Sequence, residues 1–181
     1  MRTTPEQRQR LALGLLAVGF LSRLLPHPPN VTPILAITFF GAACLPRRWA
    51  ISLPIAVVAL SDVFLGLHTT IPFTWLGCAV TALFSLWVRR NPQIHRLAAG
   101  ALLSSVSFFL ITNFGVWLVG GLYPLKREGL WNCLIAALPF FRNSLIGDLA
   151  FTLALFGAYR LLTGPLQQSI GLPDRKPVLS S

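Results

Sequence analysis

The sequence predicts an all-α membrane protein in which one domain contains six transmembrane helices. Of its 181 residues, 54% are hydrophobic and only 11% are charged, whereas a soluble domain carries about 25% charged residues. The mean hydropathy is +0.68. Apolar runs recur along the chain, and the basic residues fall at their ends. This placement makes the net charge of +10 a topology signal, and we expect no nucleic-acid partner.

Six apolar runs approach the length of about 20 residues that a helix needs to cross a bilayer. The first run follows Arg2, Arg8 and Arg10, as in a signal peptide, but no small-residue cleavage site follows it, so we expect an uncleaved span. The second run is the shortest of the six. The predicted spans cover residues 11–25, 33–45, 50–67, 71–88, 97–121 and 140–162.

The segment between the fifth and sixth spans contains a short apolar stretch at residues 130–138. It is too short to cross the membrane and ends at Pro139, which lacks a backbone donor. We therefore predict a separate short capping helix here. Residues 1–163 then form the single transmembrane domain, and residues 164–181 form a cytoplasmic tail with little regular structure.

The distribution of Lys and Arg predicts the orientation. With the N-terminus in the cytoplasm, eleven of the fifteen basic residues lie on the cytoplasmic side. The four on or near the outer side are Arg23, Lys126, Arg127 and Arg142. We therefore predict that both termini are cytoplasmic, which brings the conspicuous polar side chains into the outer leaflet.

Asp62 and Asp148 are the only acidic residues within the apolar runs. A carboxylate in hydrocarbon becomes protonated or finds a cation, and we predict that Arg142 pairs with Asp62 across helices. Arg142 and Asp148 are six residues apart, about 240° around a helix, so they lie on different faces. The predicted pair either fixes helix register or contacts a polar ligand together with Asn113 and Asn143.

Four side chains of the fifth span and the outer loops are candidates for ligand contact. Asn113 and Trp117 are one helical turn apart, so the fifth span offers an amide beside an aromatic ring. The same pair also suits helix packing beside an interfacial tryptophan. His27 and His68 are predicted near the outer surface, where they contact a ligand or form ordinary loop hydrogen bonds.

Cys44, Cys78 and Cys133 show neither a disulfide framework nor the spacing of a zinc site. Cys78 lies about 10 Å below the outer end of the fourth span. Its neighbours Gly77 and Ala79 are small, so we expect the sulfur to be little shielded. A thiol in an apolar helix is usually a small hydrophobe, but as a thiolate it would suit a late transition metal.

Four sequence blocks resemble a known family of small bacterial membrane proteins. The blocks are RLLPHPPNVTPILAITFFGAA, SDVFLGLH, TNFGVWLVGGLYP and PFFRNSLIGD, within about residues 23–157. The family is similar to the substrate-binding S-components of energy-coupling-factor vitamin transporters and includes solitary members proposed to take up vitamin B12. The resemblance implies a multi-pass protein of the bacterial cytoplasmic (inner) membrane, with six helices around an outward-facing ligand cavity.

The resemblance also implies a corrinoid such as cobalamin as the bound substrate, with membrane lipid as the surroundings and no other cofactor. In the solitary B12 members a cavity cysteine is thought to ligate the corrin cobalt and displace its ligand, including cyanide. Cys78 matches this position, which makes it the candidate cobalt ligand and the candidate catalytic residue for decyanation. The pocket or gating residues would be His27, Asp62, Arg142 and Asp148.

Alternatives to corrinoid uptake remain open. The first is an S-component for another vitamin or small solute. The second is a protein whose main activity is thiol-mediated decyanation, and the third is a purely structural membrane subunit. The first span, LALGLLAVGFLSRLL, lacks the Ala-x-x-x-Ala motif with which S-components dock the shared energising module. This departure favours a solitary transporter that does not depend on that module.

Overall fold

The computed structural model describes residues 4–25 and 31–164, and all regular structure in these residues is helical. The all-α prediction is therefore confirmed for this part of the chain. The predicted turn around His27 and the C-terminal tail lie outside the described residues. The helices are α1 (Pro5–Leu24), α2 (Ile34–Cys44), α3 (Ser52–Leu65), α4 (Ile71–Arg89), α5 (Ile94–Val119) and α6 (Arg127–Thr163).

Three of the described helices, α4, α5 and α6, are long and apolar enough to cross a membrane. Helix α1 has 20 residues, but its first turns carry Glu6, Arg8 and Arg10. It begins earlier than the apolar run because Thr4 and Gln7 form a reciprocal capping box ahead of Pro5. Helices α2 and α3 are apolar but have only 11 and 14 residues.

Helix α2 is the centre of the bundle. Residues 35–44 are all buried, and α2 contacts each of the other five helices. Its aromatic side chains pack edge-to-face on α6, with 5.2 Å between the ring centroids of Phe40 and Phe156 and 5.4 Å between those of Phe40 and Tyr159. A helix that is apolar on every side is stable only when it is enclosed in this way.

Helix α6 differs from the prediction, because the segment expected to form a separate capping helix is its first third. The helix continues through Pro139 for 37 residues, about 55 Å at 1.5 Å per residue. Proline removes one hydrogen bond and crowds the preceding turn, but membrane helices tolerate it where neighbouring groups compensate. The helix begins at Arg127, before the apolar stretch at residues 130–138 and shortly after Pro124.

The helices alternate in direction, and each end of the bundle holds a distinct set of contacts. We call one end the Asp62 end: α1, α3 and α5 finish there, and α2, α4 and α6 begin there. Here Cys133 of α6 lies 3.5 Å from the Asn113 carbonyl of α5. We call the opposite end the Arg89 end, where the Arg89 guanidinium donates to the carbonyl of Leu45.

Candidate functional site

A buried polar cluster joins α1, α3 and α4 at the Asp62 end. The Arg23 guanidinium forms an ion pair with Asp62, with 2.5 Å between Nη2 and Oδ1. It also donates to the hydroxyl of Ser61 and, at 3.1 Å, to the carbonyl of Val58. The second carboxylate oxygen of Asp62 accepts from the Trp75 indole at 2.8 Å. Three helices are thus tied together through one carboxylate.

The positions of these residues explain why the cluster forms. Arg23 is in the last turn of α1, where the helix dipole favours a cation. Asp62 is near the C-terminal end of α3, where the dipole disfavours an anion, so its carboxylate needs a cation and further donors. Both side chains are almost fully buried, and a buried charge is tolerated only when it is paired and hydrogen-bonded.

The predicted Arg142–Asp62 pair is wrong, because Arg23 occupies that position. Arg142 and its neighbour Asn143 are exposed on α6, whereas Asp148 is buried. The expected separation of Arg142 and Asp148 onto different faces is therefore confirmed. Arg142 and Asn143 lie away from the cavity described below, and their contact with a ligand stays a prediction.

Cys78 lies one turn after Trp75 on α4 and is fully buried, with 0% of its surface exposed. The expectation of a poorly shielded sulfur is wrong, because neighbouring helices fill the space beside Gly77. A Cβ atom at Gly77 would come within 2.6 Å of the Phe108 ring of α5. The small residue thus permits close helix packing instead of opening a path to the thiol.

Cys78 lies close to the buried ion pair along α4. Trp75, one turn earlier, donates to the Asp62 carboxylate at 2.8 Å, and on α2 the buried Thr38 hydroxyl donates to the Ile34 carbonyl at 3.0 Å. Among the described residues, no group of three or more His, Cys, Asp or Glu side chains could hold a metal ion.

A cavity of about 350 Å³ lies between α5 and α6. Asp148 lines it, and its Oδ2 atom accepts from the Ser105 hydroxyl at 2.7 Å. Asp148 is only 5% exposed, and the described residues provide no salt-bridge cation for it. The lining residues are Ser105, Phe108, Phe109, Thr112, Asn113, Ala137, Phe140, Phe141, Ser144 and Asp148.

The predicted site residues thus separate into two groups. Asp62 belongs to the buried cluster and Cys78 lies one turn from its Trp75, whereas Asn113 and Asp148 line the cavity. Trp117 does not line it; its indole donates to the Pro124 carbonyl at 3.0 Å. His68 is exposed and pairs with the Thr70 hydroxyl at 2.8 Å, as a loop histidine does. His27 falls outside the described residues.

Several residues that shape these sites are not predicted from the sequence. The sequence prediction treats Arg23 only as a topology charge, although its place in the apolar sequence FLSRLLP is a signal of an intramembrane cation that needs a partner. Trp75, Ser61 and Ser105 carry no sequence signal of their own, because their roles depend on which helices become neighbours. The four cavity phenylalanines look like ordinary lipid-facing or core residues in the sequence.

Comparison with known proteins gives a family but no activity. The profile of a family of unknown function, DUF6580, matches residues 3–170. No curated protein and no solved structure matches the chain. Since the match extends over nearly the whole sequence, the protein belongs to the DUF6580 family.

Proposed function

We propose that this protein is a transporter that binds cobalamin or another corrinoid and carries it across the bacterial cytoplasmic membrane, with the Cys78 sulfur as a ligand to cobalt. The observation that carries the proposal is the setting of Cys78. Cys78 is fully buried and lies one turn from Trp75, whose indole donates to the buried Arg23–Asp62 ion pair, whereas an inert core cysteine packs against apolar groups. The sequence resemblance supplies the class of substrate.

The proposed architecture has six spans with both termini in the cytoplasm, so that the Asp62 end faces outward. Helices α2 and α3, at about 16 and 21 Å, are shorter than the hydrocarbon core of about 30 Å. Enclosure by the other helices permits this for α2, because half-spanning segments are stable when they are surrounded by protein. Helix α3 is only partly enclosed and exposes Val63 and Phe64. The basic residues at the Arg89 end support this orientation.

Ligation would proceed by exchange at cobalt. The Cys78 thiol gives up its proton, the sulfur forms a bond to cobalt, and a ligand such as cyanide leaves with that proton as hydrogen cyanide. No electron transfer is required. Soft thiolate is a suitable ligand for a late transition metal, and the metal offsets the desolvation of the anion.

Corrinoid binding requires the Asp62 end to open. Cys78 is fully covered, and each of the two cavities beside α5 measures about 350 Å³, near the lower limit of about 300 Å³ for small-molecule sites. A corrin ring with its side chains is much larger. We therefore expect the start of α4 to move away from α5 when the ligand enters, so that the Phe108 contact at Gly77 separates.

Growth rescue tests the proposal in cells that lack cobalamin uptake and any energising module. On limiting cobalamin we expect wild type to restore growth and Cys78→Ala to fail. Cys133→Ala provides the matched control, since Cys133 is also a buried cysteine but lies away from the cluster, and it should restore growth. Equal rescue by wild type and Cys78→Ala would refute a required cobalt ligand. Rescue only when an energising module is supplied would show dependence on that partner.

A second candidate is an S-component for a smaller solute, and the cavity between α5 and α6 favours it. A volume of about 350 Å³ with a carboxylate in its lining suits a small molecule without rearrangement of the bundle. Rescue of cells deficient in uptake of other vitamins, in the absence of any cobalamin phenotype, would select this candidate. Decyanation as the main activity would instead appear as release of cyanide that depends on Cys78 in cells that gain no cobalamin.

A further inference from the structure

We infer that the cavity between α5 and α6 is a binding site for a small aromatic ammonium compound, with Asp148 as the counter-ion. The inference rests on the second candidate above, since it names the class of solute that this cavity takes. It is independent of cobalt ligation by Cys78. Three observations support it: the state of the Asp148 carboxylate, the balance of donors and acceptors, and the aromatic walls.

The Asp148 carboxylate is the first observation. It is 5% exposed and lies about halfway along the bundle, where a lone charge is strongly disfavoured. Its described partner is the Ser105 hydroxyl on Oδ2, and no described Arg, Lys or His is within salt-bridge distance. Asp62, by contrast, has Arg23, so the chain supplies a cation to one buried carboxylate and leaves the other facing a cavity.

The donors that line the cavity are mostly engaged with backbone carbonyls, which is the second observation. The Thr112 hydroxyl donates to Phe108 at 2.8 Å, and the Asn113 amide donates to Phe109 at 2.8 Å. The Ser105 hydroxyl is shared between Ala101 and Asp148. The Ser144 hydroxyl and the second N–H of Asn113 remain as donors, and they are outnumbered by the free acceptor positions on Asp148, on the Asn113 amide oxygen and on the lining hydroxyls. Such a lining matches a ligand that donates several hydrogen bonds, as a primary ammonium does.

The walls of the cavity are the third observation. Phe108, Phe109, Phe140 and Phe141 all line it, and the rings of Phe109 and Phe141 lie 4.7 Å apart between centroids. Aromatic faces attract cations, most strongly where water is excluded, and aromatic edges pack against a ligand ring. A ring with a short aminoalkyl arm would fill the aromatic part and place its ammonium at the carboxylate.

The same helix pair provides an internal contrast. A second cavity of about 350 Å³ follows the α5–α6 seam toward the Arg89 end. It is lined chiefly by apolar side chains and contains Thr152 and Arg160 but no carboxylate. A cation has no counter-ion there. Thr152→Val therefore alters a polar group on α6, one turn from Asp148, without changing the proposed site.

The test is binding of 2-phenylethylammonium to the full-length protein in lipid nanodiscs, measured by titration calorimetry. The neutral comparison compound is 2-phenylethanol, which has the same carbon skeleton with a hydroxyl in place of the ammonium. Because a hydrogen bond to a charged partner contributes more than one to a neutral group, we expect wild type to prefer the ammonium by about tenfold or more. Asp148→Asn should abolish this preference, whereas Asp148→Glu and Thr152→Val should retain it.

The outcomes separate this inference from the proposals above. Equal binding of the two compounds to wild type, absence of saturable binding, or a preference that survives in Asp148→Asn would overturn the ammonium site. The wild-type comparison needs no variant, so misfolding of Asp148→Asn leaves the test intact. Cys78→Ala should bind 2-phenylethylammonium like wild type. A failure of cobalamin binding together with success here would reject the corrinoid proposal alone.

Discussion

Arg23 and Asp62 are 39 residues apart in the sequence and form a buried ion pair, with 2.5 Å between Nη2 and Oδ1. This pair fixes the end of α1 against the end of α3. Through the second oxygen of Asp62 it also holds Trp75, one turn before Cys78. The geometry of the proposed ligand site therefore depends on a contact between the first and third helices.

Removal of one partner of this pair should destabilise the protein strongly. Asp62→Asn leaves the Arg23 charge buried without its counter-ion, which typically costs about 3–5 kcal/mol in free energy of unfolding. Denaturant titration of detergent-solubilised protein measures the change. Arg142→Gln is the control, because Arg142 is exposed and should change the value by less than about 0.5 kcal/mol. If Arg142→Gln lowered the free energy of unfolding more than Asp62→Asn, the result would contradict the Arg23–Asp62 pair and favour the Arg142–Asp62 pair expected from the sequence.

Two glycines in long helices should respond in opposite ways to alanine. A Cβ atom at Gly115 would overlap the Phe73 ring of α4, so Gly115→Ala should lower the free energy of unfolding by about 1–3 kcal/mol. Gly14 of α1 has nothing within 4 Å of the corresponding position, so Gly14→Ala should raise it by up to about 1 kcal/mol. Destabilisation of equal size at both positions would contradict the packing of α4 on α5.

Pro139 tests the continuity of α6. If the helix passes through this position, Pro139→Ala restores a backbone donor and should not lower the thermal midpoint, since proline is about 3 kcal/mol less favourable than alanine inside a helix. Pro54→Ala is the contrast, because the Pro54 ring packs against Gly41 and its loss should lower the midpoint. A drop on Pro139→Ala would favour a break there and a separate capping helix.

Thiol accessibility should report on the contact between Trp75 and Asp62. Cys44, Cys78 and Cys133 are all buried, so maleimide should modify them slowly in the native protein and rapidly after denaturation. In a Cys44→Ala, Cys133→Ala background, Trp75→Ala should accelerate labelling of Cys78 because it releases the start of α4. Trp87→Ala, which alters a tryptophan near the Arg89 end stacked with Arg96, should not. Equal acceleration by both variants would count against the Trp75–Asp62 hydrogen bond as the contact that holds the start of α4.

The sequence predicts where the helices begin and end better than it predicts which helices pack against each other. The fourth helix was expected at residues 71–88 and is observed at Ile71–Arg89, because its apolar run and Pro72 define it locally. The placement of Asp148 and Arg142 on different faces of the sixth helix also follows from helical spacing. The Arg23–Asp62 pair did not, because it depends on which helices pack together. The cavity between α5 and α6 depends in the same way on the meeting of Ser105 with Asp148.

The most direct test of the central claim is the visible spectrum of the purified protein after incubation with cyanocobalamin and gel filtration. If the Cys78 sulfur binds cobalt, wild type should retain the corrinoid with a spectrum shifted from that of the free compound, and free cyanide should appear in equal amount. Cys133→Ala should behave like wild type, and Cys78→Ala should lose both the shift and the cyanide. A Cys78→Ala protein that holds cobalamin with the wild-type spectrum would contradict the account.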